Sequence, residues 1–325
     1  MHRRSLLERS LALGLLAPAL PAHSQAQKTA FIVSGFPAGG MGDHVARPLA
    51  EKLRGVYAQN VVVDSKVGAG GRIAVDYVKR AAPDGSTILQ IPSSPMTLYP
   101  HTYRKLGYEP LADFVPVAST VSYAFVLTAG PGVPDDVRTL AQYVQWVQAH
   151  PRLASYGVPA AGSALHFVGM MLGARLGGSY TAVPYKGGAP LLNDVLGGQI
   201  PVSISVLGEV MPYIRSGRLR GLAVSSPVRS RFLPEIPTFV EQGYDDIAVE
   251  EWLGWFVPAK TPADTVTRLN ERVGQGLQDP QLIDALAASG LQPLHQTPAE
   301  FAQRVRTDFD RWGPIVKASG FTAED

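Results

Sequence analysis

Over residues 27–92, short β-branched runs alternate with longer stretches in which apolar side chains recur every three or four positions. Residues 31–34, 61–63 and 87–91 fit strands. Between the first two, Val45, Leu49, Leu53 and Val56 fall on one face of a helix. Pro48 is awkward there: either the regular turns begin close to it or the helix kinks at it. Between the second and third, Gly68-Ala69-Gly70-Gly71 leads into a helix carrying Ile73, Ala74, Val78 and Ala81, and Pro83-Asp84-Gly85 closes it with a turn. Strand, helix, strand, helix, strand implies a parallel sheet with crossover helices.

The pattern then restarts. Residues 140–149 read as a helix, 154–156 as a short strand, and 157–162 as a glycine-bearing loop ahead of a helix over 163–176. Strands over 181–184, 202–206 and 219–225 enclose helices over 189–196 and 210–216, and the tail from 265 to 317 reads as helical. Two α/β units predict two lobes. The apolar runs 123–128 and 252–257 flank the second unit and are read as strands crossing between lobes. The first lobe is then discontinuous, residues 27–125 with 251–325, and the second covers 126–250.

Ligands of open α/β sheets lie beyond the carboxyl ends of the strands, where loops enter helices. Two loops fit that rule, one in each unit. Pro37 to Asp43, with Ala38, Gly39 and Gly40, and Pro159 to Ser163, with Ala161 and Gly162, are short of bulk, so backbone N–H groups there can approach a ligand closely, and Phe36 beside the first offers an apolar face. Each enters a helix whose first N–H groups lack internal partners and favour an anion. Either loop alone is as well explained by a tight turn; two at matching places in repeated units point to a cleft for a small carboxylate. Asp43 suits a helix cap better than a ligand contact, because its charge repels a carboxylate. Ser163 suits an N-cap whose hydroxyl also reaches the ligand. His166 follows one turn later, Ser93 and Ser94 end the third strand as hydroxyl donors, and Tyr185 follows the 181–184 strand. Glu209, just after a strand, is an acceptor for an amine or hydroxyl. Packing or plain surface polarity is the competing account of each.

Charge and composition narrow the class. Net charge is +2 with histidine neutral, charged residues make up 17% of the chain, and no basic run is long enough to suggest nucleic acid. There is no cysteine, which removes disulfides, thiolate metal sites and cysteine nucleophiles together. The seven histidines are widely separated, so no metal site or cofactor is implied. G-x-S-x-G, Walker A, H-E-x-x-H and dinucleotide-binding motifs are all missing, which argues against an enzyme. Glu250-Glu251, like the other paired acids, consists of chain neighbours that point apart rather than an acid/base dyad. Arg3 and Arg4, the apolar run 11–20 and the small and polar residues of 21–27 have the layout of a secretory signal over residues 1–26. About ten apolar residues are too few to span a bilayer, which takes about 20. General secretion fits this segment better than twin-arginine export, so a soluble, exported, monomeric protein is expected, outside the membrane and in the periplasm.

Several motifs are similar to those of a known family. Phe36-Pro37-Ala38-Gly39-Gly40 with Asp43 and Ala46-Arg47 resembles the first ligand loop of the Bug family, extracytoplasmic solute receptors associated with tripartite tricarboxylate transporters. The likeness continues through Gly68-Ala69-Gly70-Gly71, Val183-Pro184-Tyr185-Lys186-Gly187, Leu196-Gly197-Gly198-Gln199, Pro234-Glu235-Ile236-Pro237-Thr238 and Trp252-Leu253-Gly254. The resemblance implies a two-lobed type II periplasmic-binding-protein fold closing on a carboxylate: a dicarboxylate, tricarboxylate, amino acid or aromatic acid. It also implies permease subunits as partners, and backbone amides of both loops as the grip. The second loop departs from the family's Gly/Ser/Thr-rich pattern, so hydroxyl contacts made there by relatives do not all carry over. A receptor-fold sensor reporting to a signalling partner is the nearest alternative, and a secreted α/β hydrolase a more distant one.

Overall fold

The computed structural model describes residues 27–323; the signal-peptide reading of residues 1–26 lies outside them. The first unit runs β1 (Gln27–Ser34), α1 (Met41–Leu53), β2 (Ala58–Ser65), α2 (Arg72–Lys79) and β3 (Thr87–Pro92). Three short helices, α3 (Ser93–Thr97), α4 (Tyr99–Thr102) and α5 (Pro110–Asp113), lead into the long strand β4 (Phe114–Ala129). The second unit comprises α6 (Leu140–Ala149), β5 (Ser155–Val158), α7 (Ala164–Leu176), β6 (Thr181–Pro184), α8 (Gly188–Leu196), β7 (Val202–Val206), α9 (Leu207–Arg215) and β8 (Arg220–Val224). The chain closes with β9 (Glu250–Pro258), α10 (Ala263–Leu277), α11 (Pro280–Ala288), β10 (Gln292–Pro293) and α12 (Pro298–Ser319).

As the alternation implies, β1 lies parallel between β2 and β3, and β5 lies parallel between β6 and β7. On α1, Val45, Leu49 and Leu53 are buried, each contributing about 1.5–3 kcal/mol when fully removed from water. Val56, expected on the same face, lies past the helix end and is 54% exposed. Pro48 sits well inside α1, because the helix begins at Met41. The tail is not helical throughout. Between α11 and α12, β10 pairs with β4 at Gln292↔Ser122 and Pro293↔Val121.

Strand β4 joins the two sheets. From Phe114 to Ala124 it pairs antiparallel with β9, and from Phe125 to Ala129 with β7 on one side and, from Val126, β8 on the other. The expectation that residues 252–257 cross between lobes as well is corrected: β9 pairs only with β3 and β4 in the first sheet. The return is made by the stretch between β8 and β9, tied where the Val249 N–H donates to the Ser225 carbonyl at 2.7 Å. Residues 251–258 are all buried because β9 is a central strand, and such a run looks the same in sequence as a crossing one.

Register then aims the strands. Pro92, the last residue of β3, is opposite Leu253 of β9, which is opposite Val121 of β4. Val206, the last residue of β7, is opposite Phe125. The carboxyl ends of both parallel sets therefore converge on residues 121–125 of β4. The fold is α/β with two lobes and a cleft between their sheets.

Candidate functional site

On the first wall, β1 ends at Ser34 and residues 36–40 are exposed, Phe36 to 37%. The loop is held from below. Gly35 is pressed against the Gly71 backbone, where a Cβ would come within 2.7 Å of the Gly71 Cα. The buried Trp255 Nε1 donates to Gln90 Oε1 at 3.0 Å, and Gln90 Nε2 donates to the Gly42 carbonyl at 2.8 Å. This chain from the core anchors the first turn of α1. The helix N-cap is Gly40, with no side-chain cap, so the leading N–H groups of α1 have no acceptor from a capping residue.

Asp43 lies in the first turn rather than at the cap position. Its carboxylate accepts from the Gly39 N–H at 2.9 Å and from Arg47 Nε at 2.7 Å. Burial works upward on this carboxyl, but those hydrogen bonds outweigh it and hold it below the usual carboxylate range. Asp43 thus braces the loop from the helix side.

At the end of β3, Ser93 and Ser94 open α3 and are buried. Ser94 Oγ donates to Glu251 Oε1 at 2.7 Å, and Tyr123 Oη donates to Glu251 Oε2 at 2.8 Å. Glu251 is 4% exposed. Burial raises its carboxyl above the ordinary glutamate value against the pull of these hydroxyl donors. Glu250, its neighbour, interacts instead with Arg304. The two glutamates do point apart, and one of them enters the crossing. Glu251, Tyr123 and Gln90 lie outside the site residues that the sequence suggests. The available signal was a carboxylate at the head of an otherwise apolar strand.

On the second wall, the loop after β5 is closed on itself. Ser163 is the N-cap of α7: its Oγ accepts from the His166 N–H at 3.3 Å and donates to the Ala160 carbonyl at 2.8 Å. His166 Nδ1 accepts from the Gly162 N–H at 3.0 Å, which requires that nitrogen to be unprotonated. Burial lowers the imidazole below its ordinary value. Gly162 has φ +69°, and a Cβ there would meet the Phe321 ring at 3.2 Å. Ala161 is exposed at the loop tip. The loop after β6 is fastened to this one, the Gly187 N–H donating to the Pro159 carbonyl at 2.9 Å.

Glu209 lies in the first turn of α9, just past β7. Its carboxylate stands against Gly188 at the start of α8, where a Cβ would collide with it. Glu209 is solvent-accessible, yet desolvation raises its carboxyl, the combination expected on a concave wall. Its charge also acts on the Tyr123 hydroxyl, which burial first and then Glu251 and Glu209 push well above the usual tyrosine value. Tyr185 is engaged within its own lobe. Its hydroxyl donates to Asp194 on α8 at 2.8 Å, and burial followed by that carboxylate pushes it up to about 12.

The structure thus places Phe36, Pro37, Ala38, Gly39, Gly40 and Asp43 together on one wall, Ser93 and Ser94 at the crossing, and Ala161, Gly162, Ser163, His166 and Glu209 on the other wall. Among the described residues, no hydrogen bond joins residues 36–43 to residues 157–163. A cavity of about 910 Å³ lies elsewhere, between α7 and α12, and is lined by Met170, Met171, Arg311 and Ile315 among others. None of the expected ligand residues lines it. Strand-end geometry and exposed N–H groups favour the cleft for a polar ligand over this apolar space. Among the described residues there is no cluster of metal-ligating side chains, and no helix is long and apolar enough to cross a membrane.

The chain is similar to known proteins over most of its length. Residues 45–321 match the tripartite tricarboxylate transporter family receptor (TctC) family. The chain is 32% identical to the protein BugT of Bordetella pertussis over 94% of each sequence. It is similar in structure to the periplasmic binding protein BugD, with a TM-score of 0.78 and 31% identity over 91% of this chain and 99% of that one. R. palustris Rpa4515, solved with adipate, aligns with a TM-score of 0.81 and 30% identity over 91% of this chain and 98% of that one.

Proposed function

Given that the chain belongs to the tripartite tricarboxylate transporter receptor family, and is a solute-binding receptor rather than an enzyme, we propose that it captures a small carboxylate between its lobes. It does so in the periplasm, as a monomer exported by the signal over residues 1–26, and passes the ligand to the permease subunits of a tripartite tricarboxylate transporter. The lobes are residues 27–125 with 251–325, and residues 126–250. The carboxylate is held by backbone N–H groups at Gly40 and the first turn of α1, on the loop that the Gly39–Asp43 hydrogen bond braces. Ser93 and Ser94 lie beneath it, and residues 161–163 face it from the second lobe.

One observation carries this reading: the carboxyl ends of β1 and β3 and those of β5, β6 and β7 converge on one short stretch of β4, and α1 starts there without a side-chain cap. An uncapped helix start offers free N–H donors and a partial positive charge, a fit for a carboxylate. The adipate held by the R. palustris relative supports a small dicarboxylate among the candidates. A thermal-shift panel of mono-, di- and tricarboxylates, amino acids and aromatic acids tests it. An acid present at about 100 times its Kd adds about 2.7 kcal/mol of stability, and its amide far less. Stabilisation by sugars or inorganic cations, with none from any carboxylate, would overturn the proposal. Fractionation with N-terminal sequencing should recover a periplasmic chain beginning near residues 25–28.

A further inference from the structure

The cleft has two chemically opposite ends. At α1, what faces the ligand is donors. At the crossing on β4, what faces it is acceptors. Ser94 and Tyr123 both spend their hydroxyl protons on Glu251, so toward the cleft their oxygens retain only lone pairs. Glu251 is nine-tenths buried, and among the described residues it has hydroxyl donors but no cationic partner. The further charge that bears on it, Asp308, is of the same sign. Across the crossing, Glu209 presents a solvent-accessible carboxylate with no hydrogen bond or ion pair among the described residues, close enough to Tyr123 to act on the same hydroxyl.

A carboxylate with no counter-charge, facing a hydroxyl already committed to a second carboxylate, is costly to leave unmatched. A second carboxylate on the ligand would make it worse. A protonated amine would relieve it, giving Glu209 a partner and the Ser94 and Tyr123 oxygens a donor.

Building on the proposed carboxylate site, we propose that Glu209 contacts, and Glu251 positions the hydroxyls around, a protonated amine on the ligand, so that the receptor selects aminated carboxylates over their deaminated counterparts. The donor end at α1 takes the carboxylate, and the acceptor end at β4 takes the ammonium. Selection follows from the separation of the two poles: an acid lacking the amine keeps the first grip and leaves the second unmet.

The test is titration calorimetry with matched pairs on the full mature chain: L-aspartate against succinate, L-glutamate against glutarate, 2-aminoadipate against adipate, and 4-(aminomethyl)benzoate against 4-methylbenzoate. The aminated member of the best-binding pair should bind at least tenfold tighter. Glu209→Gln should reduce that ratio to within about threefold, while leaving or improving affinity for the deaminated acid. Glu251→Gln, if it folds as judged by circular dichroism, should shrink the ratio partly, because the amide keeps one acceptor oxygen and frees one of the two hydroxyl protons; Glu209 is accessible, so its variant carries the test even if the other does not fold. Acids that bind with no preference for the amine, or a preference that Glu209→Gln leaves intact, overturn this inference and leave the carboxylate site standing. Failure of every acid to bind overturns both.

Discussion

The loops after β1 and β5 occupy equivalent places, after the first strand of each parallel set, yet they dispose of their hydrogen bonds differently. The first is braced from outside itself: Gln90 and Trp255 hold Gly42 from the core, and Asp43 reaches back to Gly39. Its helix starts at a glycine with no side chain to consume the leading N–H groups. The second is braced from within. Ser163 caps α7, His166 takes the Gly162 N–H, and Phe321 from the C-terminal end packs on Gly162. The first loop spends the Gly39 N–H on Asp43 but leaves the start of α1 without a side-chain cap, whereas the second spends the Gly162 and His166 N–H groups on its own side chains. Internal repetition of a strand–loop–helix unit therefore does not imply equal shares in binding.

The contrast is broken most directly at Gly40. Its φ of −83° and the absence of any close neighbour except the Pro37 carbonyl mean that Gly40→Asp fits without strain. Aspartate is a better N-cap than glycine by a few tenths of a kcal/mol, so the melting temperature should hold or rise slightly. Binding should collapse, because two like charges about 4 Å apart at an effective dielectric of about 20 repel by roughly 4 kcal/mol. Carboxylate affinity of the folded variant, by calorimetry, decides it; wild-type affinity would remove α1 from the site.

A smaller effect, of different kind, is expected at Gly162. The left-handed φ costs an alanine roughly 1–2 kcal/mol, and the Phe321 ring must also give way. Gly162→Ala should therefore lower urea stability by about that amount while weakening binding less than Gly40→Asp does. A binding loss as large as that of Gly40→Asp would show that the second loop grips as strongly as the first.

The smallest effect belongs to Ser163. Its hydroxyl both accepts from His166 and donates to Ala160, so Ser163→Ala removes a cap worth about 1 kcal/mol of stability. Affinity should change by less than about twofold, whereas a tenfold loss would return this hydroxyl to the ligand.

Much of this was legible along the chain. The alternation of β-branched runs with three-and-four spacing is local, and it located β1, β3, α7 and β7 to within a few residues. The glycines of residues 36–40 and 157–162 marked loops at strand ends because a chain must turn there with little bulk. Less legible was the direction of a side chain. Tyr185 looked like a ligand contact by position and is committed to Asp194, nine residues away on α8. Residues 252–257 looked like a crossing strand and are a central one. Glu251, set aside as one of an adjacent pair, became the polar centre of the crossing.

Sequence alone determined the class of fold, the two repeated units, the family and the glycine-bearing loops at strand ends, since each depends on residue type and short-range spacing. Tertiary structure decided which strand is shared, how each loop is braced and where Glu251 meets its hydroxyl partners. Those depend on register and on partners far apart in the chain: Ser94 with Glu251, 157 residues apart, and Gln90 with Trp255, 165 apart. A buried polar group must find its partner wherever the sheet brings one, and no local pattern of residues records where that is.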